Sequence, residues 1–431
     1  MKRPNILLMV SHDLGTHVGP YGWDSAATPE LNALARQGMT AENHFVTSPG
    51  CSQSRSSLVT GRYPHSNGQF GLSHLGWRLN RDEEILPAVL KAAGYRTALF
   101  GIWHLHEWTL AGFDCVSPDV SVVDSSPEGY AEVASARAAQ WLRHNADGER
   151  PFYLHIGFWE AHRPFCGQSG DPTRLPPLST DDVQVPDYLP DNAATRLELA
   201  HLRQSVKAID AGVGRVLEAL ADSGRAKDTV VIFTADHGLP FPRAKGTLYD
   251  PGIQVAFLAR WPGEIPEGRR SDALTSNVDV MPTLLDLAGI EQSRRIQGQS
   301  IAKMLRNVPM VGRKAVFAEK TYHEHYDPIR CIRTQAEKYI VNFAPRPALV
   351  MPSDVYNSPT RQSMTQDELS WAHRPPREYY DLETDPGELA NLAGRDPRVA
   401  ALQSSLDRWM CDTGDPLQHG PVPRPTGERV G

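Results

Sequence analysis

The sequence predicts an α/β fold, a mixed sheet sandwiched by helices with a smaller C-terminal antiparallel-sheet subdomain, and three observations predict it. Short apolar, β-rich runs alternate with longer segments of helical character. Each run ends in polar residues suited to chemistry. After about residue 310 the pattern changes to short strands separated by turns. At 431 residues, 40% apolar and 22% charged, the chain is long enough to bury a large core. The expected division is a catalytic α/β domain over 1–310 and a smaller α+β subdomain with a terminal helix over 311–431.

The elements follow in order. Asn5 to Val10 is a buried first strand ending at Ser11-His12-Asp13; its apolar run is too short for a signal peptide and has no small-residue cleavage site. "TPELNALARQG" is a helix with Pro29 near its start and Gly38 as its stop, and "EEILPAVLKAAG" is a second, ending at Gly94. Arg96 to Ile102 is a strand leading into Trp103-His104, and Phe152 to Phe158 another leading into "WEAHRP". A long helix ends at Gly224, and Thr229 to Thr234 is a strand before Ala235-Asp236-His237-Gly238. "SDALTSNVDVMPTLLDLAGI" is a strand or loop followed by a helix stopped by Gly289. "AVFAEK", "IRCIRTQAEKYIVNFA" and "REYYDLETDP" are short strands, "DPRVAALQSSLDRWMCDTG" is a terminal amphipathic helix, and the Pro/Gly-rich tail after it is expected to be loose. Ligands of open α/β sheets gather at the carboxyl ends of the strands, where all four polar groups fall.

Charge and cysteine usage narrow the class. A net charge of −7 gives no reason to expect nucleic acid or an anionic membrane as partner, and no run reaches the roughly 20 apolar residues of a membrane span. Five scattered cysteines do not read as a disulfide framework, so a reducing, cytoplasmic location is the expectation.

His12-Asp13 and Asp236-His237 bring two carboxylates and two imidazoles to the ends of two strands, a candidate metal site. Carboxylates favour calcium or magnesium, whereas imidazoles move the preference toward zinc, manganese or iron. Either dipeptide alone reads equally well as a turn with a helix cap; two together point to a metal. His104, His162 and Lys245 add cationic or proton-donating groups near other strand ends, although each alone, like Arg55, is an ordinary residue.

"CSQSRSSLVTGRYPHSNG", "TPELNALARQGMTAENHFV", "AGYRTALFGIWHLH", "DTVVIFTADHG", "AKGTLYDPGIQV" and "YYDLETDPGELANLA" resemble, in this order and over nearly the whole chain, the blocks of the type I sulfatases of the alkaline phosphatase-like superfamily. "HSNGQFGL", "VIFTADHGLPFP", "LYDPG" and "YHEHYDPIRCIR" are most similar to the heparan N-sulfatase (sulfamidase) branch. The resemblance implies that a separate generating enzyme oxidises Cys51 to formylglycine. The hydrate of that group carries two hydroxyls on one carbon: one attacks sulfur and the other expels sulfate as the aldehyde reforms. It further implies Arg55 beside the nucleophile, Asp13, Asp236 and His237 as metal ligands, His104 at the formylglycine hydroxyl, His162 as acid to the leaving group and Lys245 on sulfate oxygens. "TYHEHYDPIR" implies a substrate pocket with His323, Glu324 and Arg330.

Three positions depart from the family pattern. His12 stands where a second Asp is usual, Ile102 where a Lys is usual, and Gln53 where a Pro is usual in the segment read by the generating enzyme. The expectation is therefore a metal-dependent hydrolase of a sulfate ester or sulfamate on a small anionic sulfated molecule. Its metal, with His12 added as a ligand, is expected to be a divalent transition ion such as zinc or manganese in preference to calcium. Two other readings stay open. One is a phosphoester or phosphonate hydrolase or transferase on the same fold with Cys51 unmodified, and the other is a degenerate binding protein.

Overall fold

The computed structural model describes residues 3–24, 27–117, 130–145, 148–166, 179–347, 349–365 and 374–424. Its strands are β1 Asn5–Ser11, β2 Met39–Ala41, β3 His44–Phe45, β4 Arg96–Gly101, β5 Cys115–Val116, β6 Phe152–Phe158, β7 Thr229–Ala235, β8 Phe257–Arg260, β9 Arg269–Ser271 and β10 Thr275–Ser276. Then follow β11 Val316–Tyr322, β12 Tyr326–Arg333, β13 Glu337–Asn342 and β14 Arg377–Asp381. Eight of them form a mixed sheet in the order β5-β4-β6-β1-β7-β8-β2-β9, and β3 and β10 form a small separate pair. From β5 to β7 neighbouring strands run parallel; β8 turns antiparallel against both β7 and β2.

The centre of this sheet is buried on both faces, which is why β1 reads as a continuous apolar run. Leu7 and Met9 pack with Leu154, Ile156, Val231 and Phe233 beneath the helices Ala131–Asn145 and Ala193–Asp222. Ile6, Leu8 and Val10 pack on the other face with Val230, Ile232 and the helices Leu86–Ala92 and Val280–Leu287. The long helix begins where Asn192 accepts a hydrogen bond from the Thr195 N–H at 3.0 Å. A Leu154→Ala change at a fully buried position would cost about 2–5 kcal/mol.

The second sheet is an antiparallel meander in the order β11-β12-β13-β14. Its period-2 alternation divides it between two cores. Ala318, Ile329, Cys331 and Ile340 join the core of the main sheet, whereas Ile332, Tyr339 and Tyr379 meet Leu402, Leu406 and Trp409 of the terminal helix Val399–Thr413. The tail corrects the expectation of a loose end as far as residue 424. Leu417 and Val422 are buried, and the Tyr322 hydroxyl donates to the Val422 carbonyl at 2.8 Å. Residues 425–431 of that tail lie outside the described residues. All five cysteines are free thiols. No helix among the described residues is long and apolar enough to cross a membrane.

Candidate active site

Strand register brings the polar groups together. Ser11 at the end of β1 is level with Ala235 of β7 and Phe158 of β6, so His12-Asp13, Asp236-His237 and the segment leading to His162 leave the same edge side by side. The Asp13 N–H donates to Asp236 Oδ1 at 2.9 Å, with Asp13 at a φ of 51°. A left-handed conformation is uncommon for a non-glycine residue and is tolerated where surrounding contacts hold it. His104 has the same feature, at a φ of 59°. It is reached through a close pass in which Gly101 of β4 lies level with Gly157 of β6. A Cβ on Gly157 would lie 1.8 Å from the Ile102 carbonyl, so only glycine admits the turn that brings His104 over the site.

Cys51 opens the helix Cys51–Thr60, every residue of which is buried. That burial explains the run of small hydroxyl residues, since buried polar groups need partners. Ser54 donates to the Asp236 carbonyl, Thr47 to Ser57 at 2.7 Å and Thr60 to the Ser56 carbonyl at 2.7 Å. Arg55, one turn after Cys51 and so on the same helix face, donates from Nε to Asp236 Oδ2 at 3.0 Å and from Nη1 to the Ile102 carbonyl at 3.3 Å. Gln53 ties the helix to the second sheet by donating to the Tyr322 carbonyl at 2.6 Å.

The side chains converge tightly. His12 Nδ1 lies 2.7 Å from Asp13 Oδ1 and 3.2 Å from Asp236 Oδ2. His237 Nε2 lies 3.0 Å from Asp13 Oδ1 and 3.1 Å from Cys51 Sγ. One ligand atom from each of His12, Asp13, Cys51, Asp236 and His237 falls within 4.8 Å of all the others. Lys245 donates to Asp13 Oδ2 at 2.7 Å and to Asp354 Oδ2 at 2.9 Å. His162 Nε2 stands 3.9 Å from each of those two carboxylates.

Electrostatics follow from the burial. For the His12 imidazole, burial alone would favour the neutral form, but Asp236, Asp13 and Cys51 outweigh it and push its pKa up to about 10. His237 is raised well above its usual value against the same burial, chiefly by Asp236 and Asp13. The Cys51 thiol, which burial would raise, is held well below its usual value by His12, His237 and Lys245. His162 is lowered to about 4, by burial and then by Lys245. Binding of a divalent ion between these carboxylates would require both imidazoles in the neutral form. The donor set of two imidazoles, two carboxylates and a thiol fits such an ion. The buried His12 Nε2, Arg55 Nη2 and His104 Nδ1 have no hydrogen-bond partner among the described residues.

Cys51, Arg55, His12, Asp13, Asp236, His237, His162 and Lys245 thus lie in one cluster, and His104 adjoins it with its ring centroid 5.7 Å from that of His12. Arg330 is a correction. Alternation along β12 turns it away from the main-sheet core, and its guanidinium, 0% exposed, is spent on Asp415 Oδ1 at 3.0 Å and Glu319 Oε2 at 3.4 Å, beyond reach of a substrate. Glu324 is spent largely on structure, with Oε1 accepting from the Ser353 N–H at 2.9 Å and hydroxyl at 2.8 Å. His323 follows the carbonyl held by Gln53, and both its ring nitrogens are buried without a partner among the described residues.

Two residues escaped the reading of the sequence. His74 stacks on His104 with centroids 5.6 Å apart and brings Nδ1 to 3.4 Å from His104 Nε2. Asp354 comes from the four-residue helix Ser353–Tyr356, more than 100 residues after Lys245 in the chain. No local pattern marks either; "MPSDVYNSPT" reads only as a helix start.

A sulfatase family model matches residues 4–290, and a model described as N-sulphoglucosamine sulphohydrolase, C-terminal, matches residues 237–351. N-sulphoglucosamine sulphohydrolase of Homo sapiens is 31% identical, over 96% of this chain and 91% of that protein. An ulvan-active sulfatase of Formosa agariphila is 28% identical, over 96% of this chain and 76% of that protein. A protein solved in complex with its substrate, D-glucosamine-2-N,6-O-disulfate, superposes with a TM-score of 0.73 at 22% identity, covering 96% of this chain and 99% of its own. That last likeness speaks for the fold alone.

Proposed function

The chain belongs to the sulfatase family of sulfuric ester hydrolases, and from that premise we propose that it removes the sulfuryl group from an N- or O-sulfated sugar. The observation that carries the proposal is the buried cluster in which Cys51 Sγ lies beside His237 and Lys245 beside Asp13, while Arg55 Nη2 and His104 Nδ1 are buried without a partner among the described residues. For a sulfamate the balance is R–NH–SO₃⁻ plus water giving R–NH₃⁺ and SO₄²⁻, so one oxygen goes to sulfur and two protons to nitrogen.

The chain's residues divide this work. The Lys245 ammonium has three donors, of which Asp13 and Asp354 take two, leaving one for a sulfuryl oxygen. Arg55, oriented through Asp236, keeps Nη2 without a partner among the described residues, as His104 keeps Nδ1. These groups offset the charge that builds on the sulfuryl oxygens as the bond to the leaving group breaks. Cys51 sits at the N-terminus of its helix, where the helix dipole favours negative charge. His162 donates from Nδ1 to the Arg163 carbonyl, which turns Nε2 inward, and it serves as acid to the leaving nitrogen or oxygen only as the imidazolium, a form that an anionic substrate beside Lys245 favours.

His12, Asp13, Asp236 and His237 would hold a divalent ion, a transition metal such as zinc or manganese in preference to calcium because two of the four ligands are imidazoles. When bound, the ion supplies Lewis acidity toward the sulfuryl group and the nucleophile. Formylglycine made from Cys51 by a generating enzyme supplies a nucleophile that can release its own sulfate. A reading on the same fold, with Cys51 unmodified and a phosphorus ester as substrate, draws on the proximity of Sγ to His237 at 3.1 Å. Two measurements test the proposal: the mass of the tryptic peptide carrying Cys51, and turnover of glucosamine N-sulfate, aryl sulfate, a phosphate diester and a phosphonate ester. Turnover of the phosphorus esters alone would overturn it.

A further inference from the structure

The groups around Lys245 differ in exposure. Side-chain exposure is 0% at Asp13, 2% at Lys245 and 4% at Arg55, then 16% at His162 and 19% at Asp354. Of the groups in contact with Lys245 or Asp13, His162 and Asp354 are those that solvent reaches, so a sugar attached to a sulfuryl group at the buried end can lie against them. Asp354 is an unexpected residue there, since a carboxylate beside the cation that receives a sulfuryl group repels the anion unless it has another task.

Its two oxygens are used unequally. Oδ2 accepts from Lys245 at 2.9 Å and lies 3.9 Å from His162, while Oδ1 is engaged by no described residue. The segment that carries it is anchored. Ser353 donates twice to Glu324, whose carbonyl accepts from Arg424 at 2.7 Å, and Val355 is fully buried. A fixed acceptor on a partly exposed side chain is complementary to a hydroxyl or amino N–H and is left unpaired by a ligand with neither.

We propose that Asp354 is a specificity-determining residue: Oδ2 positions Lys245, and Oδ1 accepts a hydrogen bond from a hydroxyl or amino group carried by the sugar beside the sulfated atom. The site then prefers sulfated sugars and amino sugars to sulfate esters that lack such a donor. This rests on the sulfatase reading above.

The test compares wild type with Asp354→Asn and Asp354→Glu on glucosamine N-sulfate, rich in donors, and on 4-nitrophenyl sulfate, which has none. A hydrogen bond to a charged group corresponds to about a tenfold to hundredfold change. Asp354→Asn is expected to lose that factor in kcat/KM on the sugar, largely through KM, and distinctly less on the aryl ester, with Asp354→Glu recovering part of the sugar preference. Equal losses on both substrates overturn the proposal, because Asp354 then acts through Lys245 alone. If wild type accepts only the sugar, an unchanged KM in Asp354→Asn overturns it in the same way. A wild type with its metal and nucleophile in place that turns over neither substrate removes the sulfatase reading itself, and this proposal with it.

Discussion

Two of the buried clusters of charge among the described residues differ in what fills the space between their carboxylates. In the second, β11 and β12 place Glu319 opposite Arg330, and the Arg330 guanidinium lies between Glu319 and Asp415 while His65 closes the other side. An internal cation already occupies that centre. In the first, Lys245 and Arg55 hold the outer oxygens of Asp13 and Asp236, and the inner ground is shared by two imidazoles and a thiol, groups that yield to a metal or react. Burial of charge is common to both. Exchangeable ligands and an open side at His162 and Asp354 belong to one, and that is the mark of a site.

The widest separation between the clusters is expected from Cys51→Ala, which removes the reacting position and leaves the ion pairs in place. Hydrolysis should fall by more than about a thousandfold while the thermal midpoint stays near wild type. A variant with full activity would move the chemistry elsewhere.

Arg330→Met is the converse experiment. Leaving Asp415 and Glu319 buried without their cation should cost about 3–5 kcal/mol in urea unfolding, with turnover per folded molecule preserved. Equal stability with a raised KM would return Arg330 to the substrate pocket.

A smaller effect comes from a third buried cluster, Asp327 with Lys320 and Arg374, and is read through pH. Burial alone would raise the Asp327 carboxyl, but Lys320 and then Arg374 hold it at about 2, below its ordinary 3.8. This depressed carboxylate contributes roughly 2 kcal/mol that is complete above the unfolded value and lost as pH falls through the folded one. The stability gap between wild type and Asp327→Asn should stay constant down to about pH 4 and close toward about pH 2. A gap that is flat through that range would assign the loss to packing.

The smallest effect concerns the metal. Apoprotein prepared by chelation should regain activity with zinc or manganese before calcium, and His12→Ala should narrow that preference by about tenfold in ion affinity. An unchanged metal content and preference in His12→Ala would leave His12 as a bystander.

Much of this was legible along the chain. β1, β4, β6 and β7 stand out because their apolar runs serve strands buried on both faces, and the groups that follow them fall at carboxyl ends because parallel strands share a direction. The resemblance of "CSQSRSSLVTGR" to the family pattern singled out Cys51 and Arg55. Within "TYHEHYDPIR" the same kind of likeness did not separate Glu324 from Arg330, since it cannot say which face of β12 meets which neighbour.

By itself, then, the sequence determined the α/β class and the strand ends that meet, because these depend on local periodicity, while its resemblance to the family pointed to nine residues that the fold brings together. Only the tertiary structure decided that Arg330 turns to Asp415, that the tail packs as far as residue 424 and that Asp354 reaches Lys245 from 109 positions along the chain. Those outcomes depend on which surfaces a long-range fold presses together. Side-chain pairing between distant segments leaves no periodic trace in either one, so the contact of Asp354 with Lys245 becomes visible only in the folded chain.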